Sequence, residues 1–120
     1  YAAACHPDVF GGVGALSTHW PAGDGVVIDW LADNLPDPAT HRLYFDHGTR
    51  TLDADYAPYQ LRMDEALRRH GYVDGDNWTS RVFPGDRHDE DDWHEHLSVA
   101  PRSLTPSATP RHRAGRGAGA

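Results

Sequence analysis

Cysteine is almost missing from this chain, Cys5 being its only one. No internal disulfide can form, and cysteine usage leaves the compartment open. Long apolar runs are missing too: none approaches the roughly 18 residues that a membrane span requires. No G-x-S-x-G occurs, the strained strand-to-helix turn that presents a nucleophilic serine. H-E-x-x-H and paired cysteines, the compact signatures of a metal centre, are likewise absent, as is any internal repeat.

What is present is acidic and unevenly spread. The 120 residues carry a formal net charge of −7. Arg102, Arg111, Arg113 and Arg116 all follow Ala100, a stretch without acids, so the body is more acidic than the total. An acidic body argues against nucleic acid as a partner. Residues 101–120 are rich in Pro, Gly, Ala and Arg, with little to bury, and read as a disordered basic tail. Residues 1–100 are then left to build the core, a thin allowance for an α/β fold. Tyr1-Ala2-Ala3-Ala4-Cys5-His6 resembles the last turns of a helix already under way, so the chain is expected to start inside an element.

Periodicity gives an alternation of elements. Val9 to Ser17 is a small-and-apolar run suited to a buried parallel strand, its glycines allowing close packing. Val26 to Leu35 places Val27, Trp30, Leu31 and Leu35 on one helical face, and Pro36-Asp37-Pro38 stops it. Arg42 to Asp46 reads as a strand. Tyr56, Tyr59, Met63 and Leu67 recur at helical spacing, so Asp55 to His70 is an amphipathic helix with Pro58 near its first turn and Gly71 ending it. Arg81 to Phe83 is a further strand, and Trp93, Leu97 and Ala100 mark a last, brief helix. Such alternation predicts an α/β fold, a parallel sheet covered by helices.

In open α/β sheets reacting groups gather on loops beyond the carboxyl ends of strands. Here those loops are Thr18 to Pro21, Gly48 to Asp55, which carries acids, and Gly85 to Asp89, which carries His88. An acid followed by a histidine is the order of Ser, Asp or Glu, His in α/β hydrolases with the serine removed from the front. A carboxylate fixes the tautomer of a catalytic imidazole and stabilises its protonated form, which gives an acid one strand earlier a purpose.

Asp8-Val9-Phe10-Gly11-Gly12, Leu16-Ser17-Thr18-His19-Trp20-Pro21, Leu43-Tyr44-Phe45-Asp46-His47-Gly48-Thr49, Leu52-Asp53, Tyr59-Gln60 and Phe83-Pro84-Gly85 to His88 occur in that order. Together they resemble the C-terminal part of the enterochelin-esterase-like branch of the α/β-hydrolase superfamily, over about residues 1–100. The resemblance implies a serine hydrolase of carboxylic esters that needs no cofactor, with its nucleophile and oxyanion hole upstream of Tyr1. His88 matches the family's base. Asp53 is the chosen acid, with Asp46 and Asp55 as alternatives because the acid loop is long here. His19 and Trp20 are candidates to line the pocket for a small-molecule ester.

Each residue also has an ordinary reading. His88 can be a solvated histidine at a helix start. Asp55 stands where an aspartate caps a helix, and Asp46 can bond backbone at the mouth of its loop. Ser17 lacks the glycine frame of a nucleophile and ends a strand one loop too late, so a structural role is expected. Trp20 can pack against the sheet, and Cys5 can be a small buried residue. Glu90 with His94 and Asp92 with His96 are i, i+4 pairs able to chelate a metal, but a solvated helix start whose acids suit the helix dipole explains them better, and no metal is expected. The alternative to an esterase is a non-catalytic α/β-hydrolase remnant or binding module.

Overall fold

The computed structural model describes residues 1–105. They form a small α/β domain whose sheet has three parallel strands in the order β1 (Gly12–Leu16), β2 (Arg42–Gly48), β3 (Trp78–Phe83). Five helices accompany it: α1 (Ala2–Cys5), α2 (Val26–Asn34), α3 (Ala57–His70), α4 (Glu90–His96) and α5 (Ala100–Leu104). The register pairs Ala15 with Phe45 and Phe45 with Ser80, so β2 is the central strand. Its residues Leu43 to Gly48 are all buried, as expected of a strand covered on both faces.

Side chains alternate across β2. Leu43 and Phe45 join Ile28, Leu35, Met63, Leu67, Tyr72 and Trp78 in an apolar core beneath α2 and α3. Tyr44 and Asp46 face the other side, where the second layer is thinner. There α5 approaches β1 so closely that Leu104 and Ala100 lie about where side chains on Gly12 and Gly14 would begin to touch them. A methyl at either glycine would make only ordinary contact, so the packing of α5 does not depend on their being glycine.

The residues of α3 explain its length. Tyr56, Met63 and Leu67 are fully buried along one stripe, Pro58 sits in the first turn, and Gly71 ends the helix in the left-handed conformation at φ 103°. Elsewhere the elements differ from expectation. Residues Val9 and Phe10 are exposed and outside β1, which is half-exposed rather than buried. Of the face expected for α2, Leu35 joins the core and Leu31 packs against it beside Ile28, whereas Val27 and Trp30 are 39% and 37% exposed. The last helix is two: α4 ends at His96 and Pro101 opens α5, so residues 101–104 belong to the packed domain and not to a tail. The rest of the expected tail, from residue 106 on, lies outside the described residues. Cys5 is exposed, not buried.

Among the described residues β1 pairs only with β2, leaving its other edge without a partner strand. On the apolar face that β1 and β2 turn towards α2, a cavity of about 190 Å³ opens among Val13, Ala15, Leu31, Leu35, Leu43 and Phe45. No helix of the described residues is long and apolar enough to cross a membrane.

Candidate active site

Parallel strands bring their carboxyl ends to one edge, and the three loops singled out above meet there. Main-chain contacts stitch them together. Ser17 N–H donates to the Asp46 carbonyl, and the Asp86 carbonyl accepts from both Thr49 and Arg50 N–H, each at 3.0 Å. Thr51 Oγ1 accepts from His88 N–H at 2.8 Å, and Thr49 Oγ1 from Gly85 N–H at the same distance. The third loop turns at Gly85, with φ 91°. Gly48 is the closest point: a Cβ there would lie 2.6 Å from the Asp86 carbonyl carbon, so only glycine lets the loops touch.

Asp53 sits inside this junction, on a 3-10 turn over Thr51–Asp55. Its carboxylate is fully buried and accepts three hydrogen bonds: from Gly48 N–H at 2.6 Å, Ser17 Oγ at 2.8 Å and His88 Nδ1 at 2.7 Å. A carboxylate only accepts, so His88 carries a proton on Nδ1, and in the neutral ring the free lone pair is on Nε2. That is the state in which an imidazole acts as a general base. The His88 ring is half-buried, edge-on to Trp93 with centroids 4.8 Å apart.

The other acids go elsewhere. Asp46 accepts from the Ser17 backbone N–H at 3.0 Å, a backbone bond as expected though to a residue 29 positions away, and from Tyr44 Oη, two residues back, at 2.9 Å. Asp55 is exposed, and it does not cap α3, which begins behind Tyr56 without a side-chain cap. Ser17 has φ 47° but its hydroxyl points at Asp53, the structural role anticipated for it.

Of the two pocket candidates, His19 lies at the site and Trp20 does not. His19 is exposed, with Nδ1 2.7 Å from the Tyr56 hydroxyl. Trp20 is a core residue, 2% exposed, its indole N–H donating to Gln60 Oε1 at 2.8 Å, and it reaches open space only as part of the apolar cavity wall.

Tyr56 and His96 are the residues that periodicity overlooked. Tyr56 counts as one member of an apolar stripe, yet its hydroxyl reaches both His19 and, at 3.5 Å, His88 Nδ1. Burial, and secondarily the nearby Asp53 charge, pushes its pKa up to about 12. Burial also raises Tyr44 and Tyr72. These phenols are harder to ionise folded than unfolded. Their contribution is therefore complete below pH about 10, the unfolded value, and disappears as the pH rises through the folded one. The melting temperature is expected to fall between about pH 10 and 12 in step with tyrosinate absorbance, and Tyr56→Phe to flatten that fall.

His96 is fully buried rather than solvated. It stacks on Phe83 at a centroid distance of 3.9 Å and bonds Asp86 Oδ2 through Nε2 at 3.0 Å. Its Nδ1 is 3.1 Å from Asp46 Oδ1 but out of line for a hydrogen bond. The i, i+4 metal pairing of Asp92 with His96 is thus not formed, and the described residues contain no cluster able to hold a metal ion. Asp92 instead serves the helix start: its N–H donates to the Asp89 side chain at 3.1 Å. Removing that cap by Asp89→Ala is expected to cost about 1 kcal/mol in urea unfolding.

Comparison of the chain with family models, curated proteins and solved structures found no match.

Proposed function

We propose that this domain supplies the acid and base of a serine hydrolase of carboxylic esters, in an α/β-hydrolase fold of the enterochelin-esterase-like kind. His88 takes the proton of a serine hydroxyl as that oxygen attacks the ester carbonyl, then returns it to the departing alcohol. Asp53 holds the imidazole in the Nδ1–H tautomer and stabilises the imidazolium. The observation that carries this reading is the His88–Asp53 pair: 2.7 Å long, its carboxylate fully buried, its two residues delivered by successive loops at one edge of a parallel sheet.

The nucleophile and oxyanion hole are assigned to residues upstream of Tyr1. The unpartnered edge of β1 supports this, because a further parallel strand would pair there and bring its own carboxyl end to the same edge. The test is the upstream reading frame together with an assay of the chain alone. The reading expects a G-x-S-x-G within roughly 20 residues of Tyr1, and no turnover of p-nitrophenyl acetate by residues 1–120. A frame without that motif, or serine turnover with a fluorophosphonate label on Ser17, would overturn it.

A further inference from the structure

The Tyr56 hydroxyl has one proton to donate and, among the described residues, two neighbours to receive it, His19 Nδ1 at 2.7 Å and His88 Nδ1 at 3.5 Å. The second cannot accept, since His88 Nδ1 already carries the proton it donates to Asp53. Tyr56 is fully buried and its hydroxyl stays protonated up to about pH 12. Directing that proton to His19 Nδ1 is the arrangement that leaves no buried donor unmet, and in it a neutral His19 carries its own proton on Nε2. Both imidazoles stand edge-on to the one phenol ring, at 72° and 86°, with centroids 5.6 and 5.9 Å from it.

We propose that Tyr56 is a positioning residue that fixes His19 as an Nε2–H donor on the same phenol ring that His88 flanks, so that the site presents one imidazole base and one imidazole hydrogen-bond donor. The exposed His19 ring keeps Nδ1 on the buried hydroxyl and Nε2 free for a ligand oxygen. In ester cleavage that oxygen is the departing alkoxide, on which negative charge develops as the tetrahedral intermediate collapses. This role in cleavage rests on the hydrolase reading; the two tautomers do not.

Nitrogen-15 NMR of the labelled 120-residue chain, at about pH 8 where unperturbed imidazoles are neutral, decides the matter. The expected spectrum has His19 bare at Nδ1 and protonated at Nε2, His88 the reverse, and a slowly exchanging Tyr56 hydroxyl proton coupled to His19 Nδ1. In Tyr56→Phe that proton is lost and the His19 Nδ1 resonance moves to the position of an unbonded imidazole, while the His88 Nδ1–H signal persists and shows the site intact. Should the variant not fold, the wild-type spectrum still decides the tautomers. Titrating the wild-type chain with ethyl methylphosphonate, a tetrahedral ester anion, is expected to shift the His19 Nε2–H signal saturably. A proton on His19 Nδ1 with the His88 pattern intact overturns this inference alone, and an unmoved Nε2–H signal overturns the donor role. A bare Nδ1 on His88 overturns the hydrolase reading instead.

Discussion

Asp53→Ala is expected to destabilise the domain by about 3 to 5 kcal/mol, the range for removing one partner from a buried charged network. The side chain is fully buried, and its loss strands three donors at once: Gly48 N–H, the Ser17 hydroxyl and His88 Nδ1–H. Beyond the Tyr56 hydroxyl oxygen 3.5 Å from His88 Nδ1, no other side-chain acceptor is positioned for them among the described residues, and each buried unmet donor costs on the order of 1 to 3 kcal/mol. Small domains have only about 5 to 15 kcal/mol in total, so the loss is a large fraction of what holds the chain folded. Urea unfolding followed by tryptophan fluorescence measures it. A change below about 1 kcal/mol would mean that Asp53 is solvated and that the junction of loops is not as described.

Gly48→Ala is the second large effect, and its cause is steric. The new methyl would run into the Asp86 main chain, which cannot move without releasing the Thr49 and Arg50 N–H groups bonded to its carbonyl. Overpacking of this kind costs about 1 to 3 kcal/mol. The displaced segment carries His88 two residues on, so the variant is expected to weaken the His88–Asp53 bond as well as the fold. The His88 Nδ1–H signal in proton NMR separates the two effects: it should broaden or vanish under conditions where circular dichroism still reports folded helices. Retention of both signals at wild-type stability would show that the loops have room the structure does not give them.

The comparison of sequence and structure divides along physical lines. Where one residue type has one use, the sequence was legible: Gly71 ended α3, Tyr56, Met63 and Leu67 of the expected stripe were fully buried and Tyr59 partly, and the strand-helix alternation produced a parallel sheet. His88 and Asp53 were legible because a parallel sheet forces loops after its strands to one edge, whatever their length. The sequence favoured Asp53 and kept Asp46 and Asp55 as alternatives; the 3-10 turn over Thr51–Asp55, invisible in the sequence, is what buries Asp53 and leaves Asp55 exposed.

His96 shows why the rest was hidden. Trp93, His96 and Ala100 have the same three-and-four spacing as a core stripe, but hydropathy favours Leu97, which is 55% exposed. Two carboxylates and the Phe83 ring make a buried histidine acceptable there, and those partners come from β2, β3 and the loop before α4, invisible to a local reading. Trp20 followed the second of its two readings, packing against the sheet: its indole N–H finds Gln60 on α3, so the whole ring can enter the core. The exposure of Val27 and Trp30 on α2 reflects a helix with apolar residues on more than one face, of which only the Ile28 side meets the sheet.

The central claim is that His88 is the base for a serine supplied from upstream, and the rate at which that serine reacts tests it most directly. The measurement is fluorophosphonate labelling of the polypeptide extended through its upstream frame, at about pH 8, compared with the same polypeptide carrying His88→Ala. General-base assistance is worth about 100- to 10,000-fold, so the variant is expected to label slower by that factor, whereas Arg69→Ala, on the exposed side of α3, should label at the parent rate. Equal labelling rates with and without His88 would contradict the account.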